Sequence, residues 1–341
     1  MSAPNRLDES WTLGSLRVPN RVMLAPLAGI GNWFVRLQAK RYGAGMAVSE
    51  MVSSHAIHYR NEKTCTEMLR IDARERTAGC GGPVSIQLFG QDPEIMRAAA
   101  REVARAGADA IDLNMGCPVP KVCKTGAGAA LLSDPDTAVA VAKAARQGSG
   151  LPVTVKLRSG RRPGETGGVE LAHRLVAEAG VAAIGFHPRS AAVHHKGVPD
   201  YELAARLVAS LDAPVILTGG LREPVAIEEV FRYTGASAVM LARGALGNPW
   251  LFEQLLGERE SDPTRAEVLT ELQWVIDRAV EHLGTERATR YLRKFYPWYV
   301  TRLEPARVLA KALQESLQAA ETLEHVMGLL DRRGADLTLS A

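Results

Sequence analysis

Short apolar, β-branched runs recur along most of the chain, and each is followed by a longer stretch with charges at helical spacing. The runs are RVMLAP from Arg21, MAVSEM from Met46, PVSIQLF from Pro83 and DAIDLN from Asp109, then PVTVKLR from Pro152, VAAIGFH from Val181, PVILTGG from Pro214 and ASAVMLARG from Ala236. Near-continuous hydrophobicity of this kind suits parallel strands covered on both faces. The stretches between them carry helix punctuation. DPEIMRAAAREVARAGA places Asp92 as an N-cap, Pro93 in the first turn and Gly107 as a stop. DPDTAVAVAKAARQG repeats this with Asp134 capping and Gly148 closing, and REPVAIEEVFRYTG ends at Gly235.

Eight strand–helix units predict an α/β fold, a (β/α)8 TIM barrel. The alternative is an open doubly wound sheet, which often carries a glycine-rich dinucleotide turn. The first strand here runs instead into APLAGIGNW, which is not G-x-G-x-x-G. After Pro249 the alternation stops, and from Thr264 to about Arg333 the pattern is helical. The expected organisation is therefore a barrel over 1–256 and a C-terminal all-helical domain over 257–341, joined through LLGERESDP and frayed from Gly334.

Polar residues interrupt the apolar runs at their C-terminal ends: Glu50, Gln87, Asn114, Lys156, Arg158, His187 and Thr218. In a barrel that face carries the active site. A buried polar group without a partner costs ~1–3 kcal/mol, so several such groups from different strands converge on a polar ligand more readily than on one another.

Composition narrows the class only a little. Forty-one Lys and Arg against 38 Asp and Glu give a formal charge of +3, which neither requires nor excludes a nucleic-acid partner. The cysteines, Cys65, Cys80, Cys117 and Cys123, form no CxxC and have no histidine at zinc-finger spacing. No metal is expected, and a reducing compartment is. MSAPNRLDES lacks a secretory pattern and no run is long and apolar enough to span a bilayer. The expectation is a soluble, cytoplasmic protein with no membrane partner.

The densest stretch is DLNMGCPVPKVCKTGAGAALL from Asp112. Cys117 follows a glycine in a polar strand-end loop stiffened by Pro118 and Pro120. A thiol there can be an acid or a nucleophile, since its ordinary pKa is ~8.5. The alternative is a buried, inert cysteine, and that is the expectation for Cys123. Lys156 and Arg158 are two apart on one strand and share a face. They suit an anionic or electron-rich ring, although Arg158 could instead bridge to Glu50 or Asp112. His187 is a candidate ligand contact or proton donor, with His194 and His195 in the loop beyond it. TGG at Thr218–Gly220 and ARGALGNPW at Ala242–Trp250 end the last two strands, where barrels often cradle a phosphate. Gly219, Gly220 and Gly244 would free backbone N–H groups, and Arg243 would add charge. These residues outline a phosphorylated ligand and do not by themselves specify a flavin.

Taken in order, MLAPLAGI, SEM, QLFG, DLNMGCPVPKV…GAGAALL, VKLRSG, HPRS…HHKG and LARGALGNPWLF resemble the tRNA-dihydrouridine synthases, most closely the bacterial B-type branch. The resemblance covers about residues 18–255 and, more loosely, the helical tail. It implies an FMN enzyme in which NADPH (or NADH) reduces the flavin. Hydride then passes from FMN N5 to C6 of a uridine in tRNA, and Cys117 protonates C5. By the same resemblance Pro26, Leu27, Ala28, Gln87, Lys156, Thr218, Gly219, Gly220, Ala242 and Arg243 hold FMN. His187 lies against the flavin, and Asn114 and Arg158 hold the uracil. The chain departs from the family pattern at Pro188 and Thr218, and at Ala242 beside Arg243. In the tail, RATRYLRKFYPWYV sets Arg290, Arg293 and Lys294 beside Tyr291, Tyr296 and Trp298. That pattern suits RNA, or else an amphipathic helix with core aromatics and a solvated basic face. A flavin barrel acting on a free pyrimidine or an enoate is one alternative. A non-catalytic RNA-binding protein on a barrel scaffold is the other. No obligate protein partner is implied.

Overall fold

The computed structural model of the protein describes residues 6–304 and 306–338, with side chains described through Arg333. Internal contacts divide it into two compact units. One runs to Gly244 and includes Leu255–Gly257; the other comprises Ala245–Gln254 and the chain from Glu258.

The first unit opens with a hairpin, β1 (Trp11–Leu13) and β2 (Leu16–Val18), which pair antiparallel. The eight expected strands follow as β3 (Val22–Leu24), β4 (Met46–Ser53), β5 (Val84–Phe89), β6 (Ala110–Met115), β7 (Val153–Arg158), β8 (Ala183–His187), β9 (Val215–Thr218) and β10 (Ala238–Leu241). They close in the order β10-β3-β4-β5-β6-β7-β8-β9, and every neighbouring pair is parallel. The sheet is thus a closed barrel and not an open doubly wound sheet.

The hairpin was not predicted, because three-residue strands in a polar N-terminal stretch carry no readable period. Its role lies in its burial. Trp11, Leu13 and Val18 share one core cluster with Met23, Met46 and the small residues Ala110, Ala183 and Ala238. The three alanines stand at the starts of their strands, and Trp11 Nε1 donates to Asn20 O at 3.0 Å. The hairpin therefore packs where the strands begin, away from the ends that carry the candidate site.

Helix punctuation is largely as expected. Asp92 caps Pro93–Arg105, Asp134 caps Pro135–Ser149, and Gly235 closes Pro224–Thr234 in the left-handed conformation at φ 66°. Gly148 is a correction. It lies inside its helix, and Gly150, at φ 69°, is the true cap. A methyl on Gly148 would overlap Arg97 O, so this glycine permits close packing of two helices and does not end one.

The second unit is helical, with Arg265–Leu283, Thr285–Leu292, Tyr296–Leu303, Arg307–Ala319 and Leu323–Thr338. Thr264 opens the first of these with a capping box to Glu267. The last helix takes in Gly334 and ends at Thr338; an isolated glycine costs a helix only ~1 kcal/mol. Residues 339–341 lie outside the described ones. No helix among the described residues is long and apolar enough to cross a membrane.

Candidate active site

Register explains how the polar strand-end residues meet. Gln87 on β5 and Thr154 on β7 both lie opposite Asp112 on β6, and Asn114, two residues further along β6, lies opposite Lys156. Asp112 is buried and accepts from Gln87 Nε2 and from Thr154 Oγ1, each at 2.6 Å. Gln87 Oε1 in turn accepts from Asn114 Nδ2 at 2.9 Å, and Asn114 Oδ1 accepts from the backbone N–H of Cys117 at 2.9 Å. A continuous chain of hydrogen bonds thus runs from the barrel interior to the cysteine loop. Burial pushes the Asp112 carboxyl up to about 6, against the two hydrogen bonds and the nearby Lys156 that favour its charge. The sequence pointed to Gln87 and Asn114 but missed Asp112 and Thr154 as the foot of this chain. The i, i+2 spacing in DLN was the available signal.

The loop after β6 is fixed at several points. Cys117 O accepts from Ala129 N at 3.0 Å and from the Cys123 thiol at 3.3 Å, so Cys123 holds the loop, as its structural assignment anticipated. Gly128 has φ 62°, and a side chain there would press on Cys117 O and Val122. Cys117 itself is half-buried, and burial pushes its thiol pKa up; Arg158 and Lys156 pull the other way without prevailing. It stays protonated at neutral pH, which suits an acid and not a thiolate nucleophile.

Arg158 is buried, but it bridges to neither Glu50 nor Asp112. Its Nε donates to Gly116 O at 3.0 Å, and its Nη1 donates to Ser190 O at 3.0 Å and His194 O at 2.8 Å. It ties the loop after β6 to the loop after β8. Glu50 accepts from Gly29 N at 2.8 Å and so tethers the loop that carries Pro26, Leu27 and Ala28. A register shift in β4 between Val48 and Met51 accompanies this, and Ser49 Oγ accepts from Gln87 N at 3.0 Å.

Lys156 makes no hydrogen bond or ion pair among the described residues. Burial first, then Arg158, push its ammonium down to about 8, opposed by Asp112. His187 is buried, and burial together with Lys156, Arg158, Arg189 and His195 drives its pKa far down, so the ring is neutral. Arg189 Nη1 stands 3.3 Å from His187 Nε2, and His195 stacks on the ring at 6.2 Å. Gly219 (φ 99°) packs so close that a methyl would overlap the His187 ring, and Tyr201 Oη donates to Gly219 O at 3.0 Å. The Thr218 hydroxyl donates to Met240 O at 3.0 Å, across to the neighbouring strand β10. Arg243 is depressed by burial, then by Arg222 and Arg189. Among the described residues no carboxylate pairs with these three arginines. Pro188, at the departure from the family pattern, is accommodated: its carbonyl accepts from Asp200 N at 2.8 Å.

In the helical unit, Arg290 pairs with Glu286 at 3.0 Å, Arg293 donates to Ala320 O at 3.3 Å, and Lys294 lies 4.7 Å over the Tyr291 ring. Tyr296 and Tyr299 are buried core residues. Only part of the basic–aromatic stretch is therefore at the surface.

A family profile described as dihydrouridine synthase (Dus) matches residues 23–332. The chain belongs to the dihydrouridine synthase family. The tRNA-dihydrouridine synthase B of Xanthomonas axonopodis pv. citri is 35% identical over 292 residues, covering 84% of this chain and 86% of the relative. The enzyme of that name from Vibrio vulnificus is 33% identical, covering 94% and 98%. A probable tRNA-dihydrouridine synthase 1 of Synechocystis is 35% identical, covering 94% and 88%. Among solved structures, a morphinone reductase variant bound to tetrahydroNAD superposes with a TM-score of 0.55 at 17% identity, covering 77% of this chain and 94% of that one. That likeness concerns the barrel fold. As a member of the dihydrouridine synthase family, the protein is a flavin-dependent oxidoreductase.

Proposed function

We propose that this dihydrouridine synthase family member reduces the C5–C6 double bond of uridine in tRNA to 5,6-dihydrouridine, with FMN as its flavin and NADPH or NADH as reductant, in the cytoplasm. The observation that carries the reading is the half-buried Cys117, whose loop is hydrogen-bonded through Asn114 and Gln87 to the buried strand-end network, with Lys156 opposite Asn114 and without a partner among the described residues. The residues fit FMN. Lys156 offers an ammonium with no protein partner, and Gln87 keeps one Nε2 proton beyond its bonds to Asp112 and Asn114. The neutral His187 ring offers a flat neighbour. Gly219 and Gly220, at φ 99° and 81°, lie in a turn that a Cβ would fill, and Arg189, Arg222 and Arg243 supply uncompensated charge for a phosphate. Pro26, Leu27, Ala28, Thr218 and Ala242 would complete the cradle through backbone and van der Waals contact.

When bound, the flavin supplies the hydride that uracil C6 accepts. This chain's residues then have separate tasks. Cys117 Sγ gives its proton to C5 and regains one from solvent. Asn114 holds the Cys117 backbone in place and, with Arg158, would border the uracil. The base must leave its stack to reach the mouth of the barrel, and Arg290, Arg293 and Lys294 would hold backbone phosphates.

The test pairs substrates. Purified protein with FMN and NADPH is given unmodified tRNA, free uridine or 2-cyclohexenone, and product is followed by mass spectrometry. Dihydrouridine in tRNA with no enoate turnover is expected. Turnover of free uridine or the enoate with no change in tRNA would instead establish a small-molecule reductase.

A further inference from the structure

A cleft of about 500 Å³ lies beside the cysteine loop, and the reading above gives it no role. Three loops wall it: Pro118, Pro120 and Lys124 after β6, Arg161 and Arg162 after β7, and Ala191, Ala192 and His194 after β8. All three loops leave the barrel at the end that carries Cys117. Pro118 is the residue next to Cys117, and Cys123, whose thiol donates to Cys117 O, lines the cleft as well.

The walls are pre-set. Arg158 bonds to Gly116 O on one side and to Ser190 O and His194 O on the other, so a buried side chain clamps two walls at a fixed separation. His194 is held at φ 51°, a conformation that a residue with a side chain rarely adopts and that persists only where the surroundings enforce it.

The charge is one-sided. Lys124, Arg161 and Arg162 are exposed, and no acidic side chain is among the lining residues. Glu165, the nearest acid in sequence, is occupied with the backbone N–H groups of Arg161 and Arg162, each at 2.9 Å. Arg161 Nη1 donates to Ser133 Oγ at 3.1 Å, while Lys124 and Arg162 have no side-chain partner among the described residues. The remaining lining is alanine and proline, with Cys123 and His194 as its further polar side chains. Cations over small apolar walls suit a sugar–phosphate strand better than a neutral polar ligand.

We propose that this cleft binds a phosphodiester of the RNA strand next to the reacting uridine, with Lys124 and Arg162 as the chief contacts and His194 beside them. The inference rests on the tRNA reading above. A flipped nucleotide keeps its phosphates at the rim of the pocket it enters, and this cleft is the basic rim adjoining the acid.

The test uses the full-length FMN-loaded protein. Lys124→Glu/Arg162→Glu, the milder Lys124→Ala/Arg162→Ala, and a control reversal at exposed Arg206 (R206E) are compared with wild type. All are first matched for flavin content and melting temperature, the alanine pair serving if the reversal fails to fold. Binding of unmodified tRNA is measured by fluorescence anisotropy across salt concentrations. The expected result is a tenfold or greater loss of affinity in the paired variants, with a salt slope smaller by about 1–2, and no change in R206E. Unchanged tRNA affinity in the paired variants overturns the proposal while leaving the tRNA reading intact. Slower flavin reduction by NADPH with unchanged tRNA affinity also overturns it, and assigns the cations to the dinucleotide's phosphates. Wild-type protein that neither binds nor modifies tRNA removes the functional reading first and this inference with it.

Discussion

In the proposed reaction the Cys117 thiol acts as an acid, and burial favours its protonated form. Burial raises its pKa, so the proton is present at neutral pH and is lost only as pH rises through that raised value. The alkaline limb of kcat/KM for the tRNA reaction should therefore fall above the ordinary thiol range, and Cys117→Ala should remove it together with ~10²-fold or more of the rate. A limb at or below ~8.5 would mean that the thiol is not the acid. Lys156 is the converse case. Its folded-state pKa, about 8, lies below the ordinary lysine value of 10.5. Below pH 8 the flavin-free fold bears the whole cost of burying a cation, and that cost fades as pH rises from 8 to 10.5. Lys156→Met should raise the melting temperature of flavin-free protein at pH 7, by the equivalent of roughly 1–3 kcal/mol since part of the side chain reaches solvent. The advantage should shrink between pH 8 and pH 10.5. The same variant should lose flavin affinity, measured by fluorescence titration.

Among the elements, the strands were the most legible. Each reads as a near-continuous apolar run, as a parallel sheet covered on both faces requires, and most are closed by a polar residue. The β1–β2 hairpin was illegible because the residues that share its buried cluster, among them Ala110, Ala183 and Ala238, lie far away in sequence. At the site, individual polar residues could be picked out, but their partners could not. That Arg158 would serve three carbonyls, and that Asp112 would anchor Gln87, depends on register and loop conformation. Glycines divide in the same way. Gly235 was readable as a cap, whereas Gly148 and Gly219 are required by what packs against them. Gly219→Ala should push the His187 ring out of place at a cost of roughly 1–3 kcal/mol. The measurable outcome is flavin lost on gel filtration while far-ultraviolet circular dichroism stays native. An alanine variant that retains flavin as wild type does would show that the turn is not part of the cradle.

For the whole molecule, a net charge of +3 does not advertise an RNA partner. The basic groups are local. In the barrel unit they are the arginines at the last strand ends and the cleft beside the cysteine loop; in the helical unit they are Arg290, Arg293 and Lys294. Arg290→Glu/Arg293→Glu should weaken tRNA binding several-fold, and more so at low salt, while reduction of the flavin by NADPH proceeds at the wild-type rate. Equal tRNA affinity in that variant would confine RNA recognition to the barrel unit. The central claim, that a flavin barrel with Cys117 as its acid acts on uridine in tRNA, is tested most directly by nucleoside mass spectrometry. Unmodified tRNA is digested after incubation with FMN, NADPH and either wild-type or C117A protein. The account predicts dihydrouridine at defined positions with wild type and almost none with C117A that has kept its flavin. Equal product from both proteins, or none from wild type that carries reducible FMN, would contradict it.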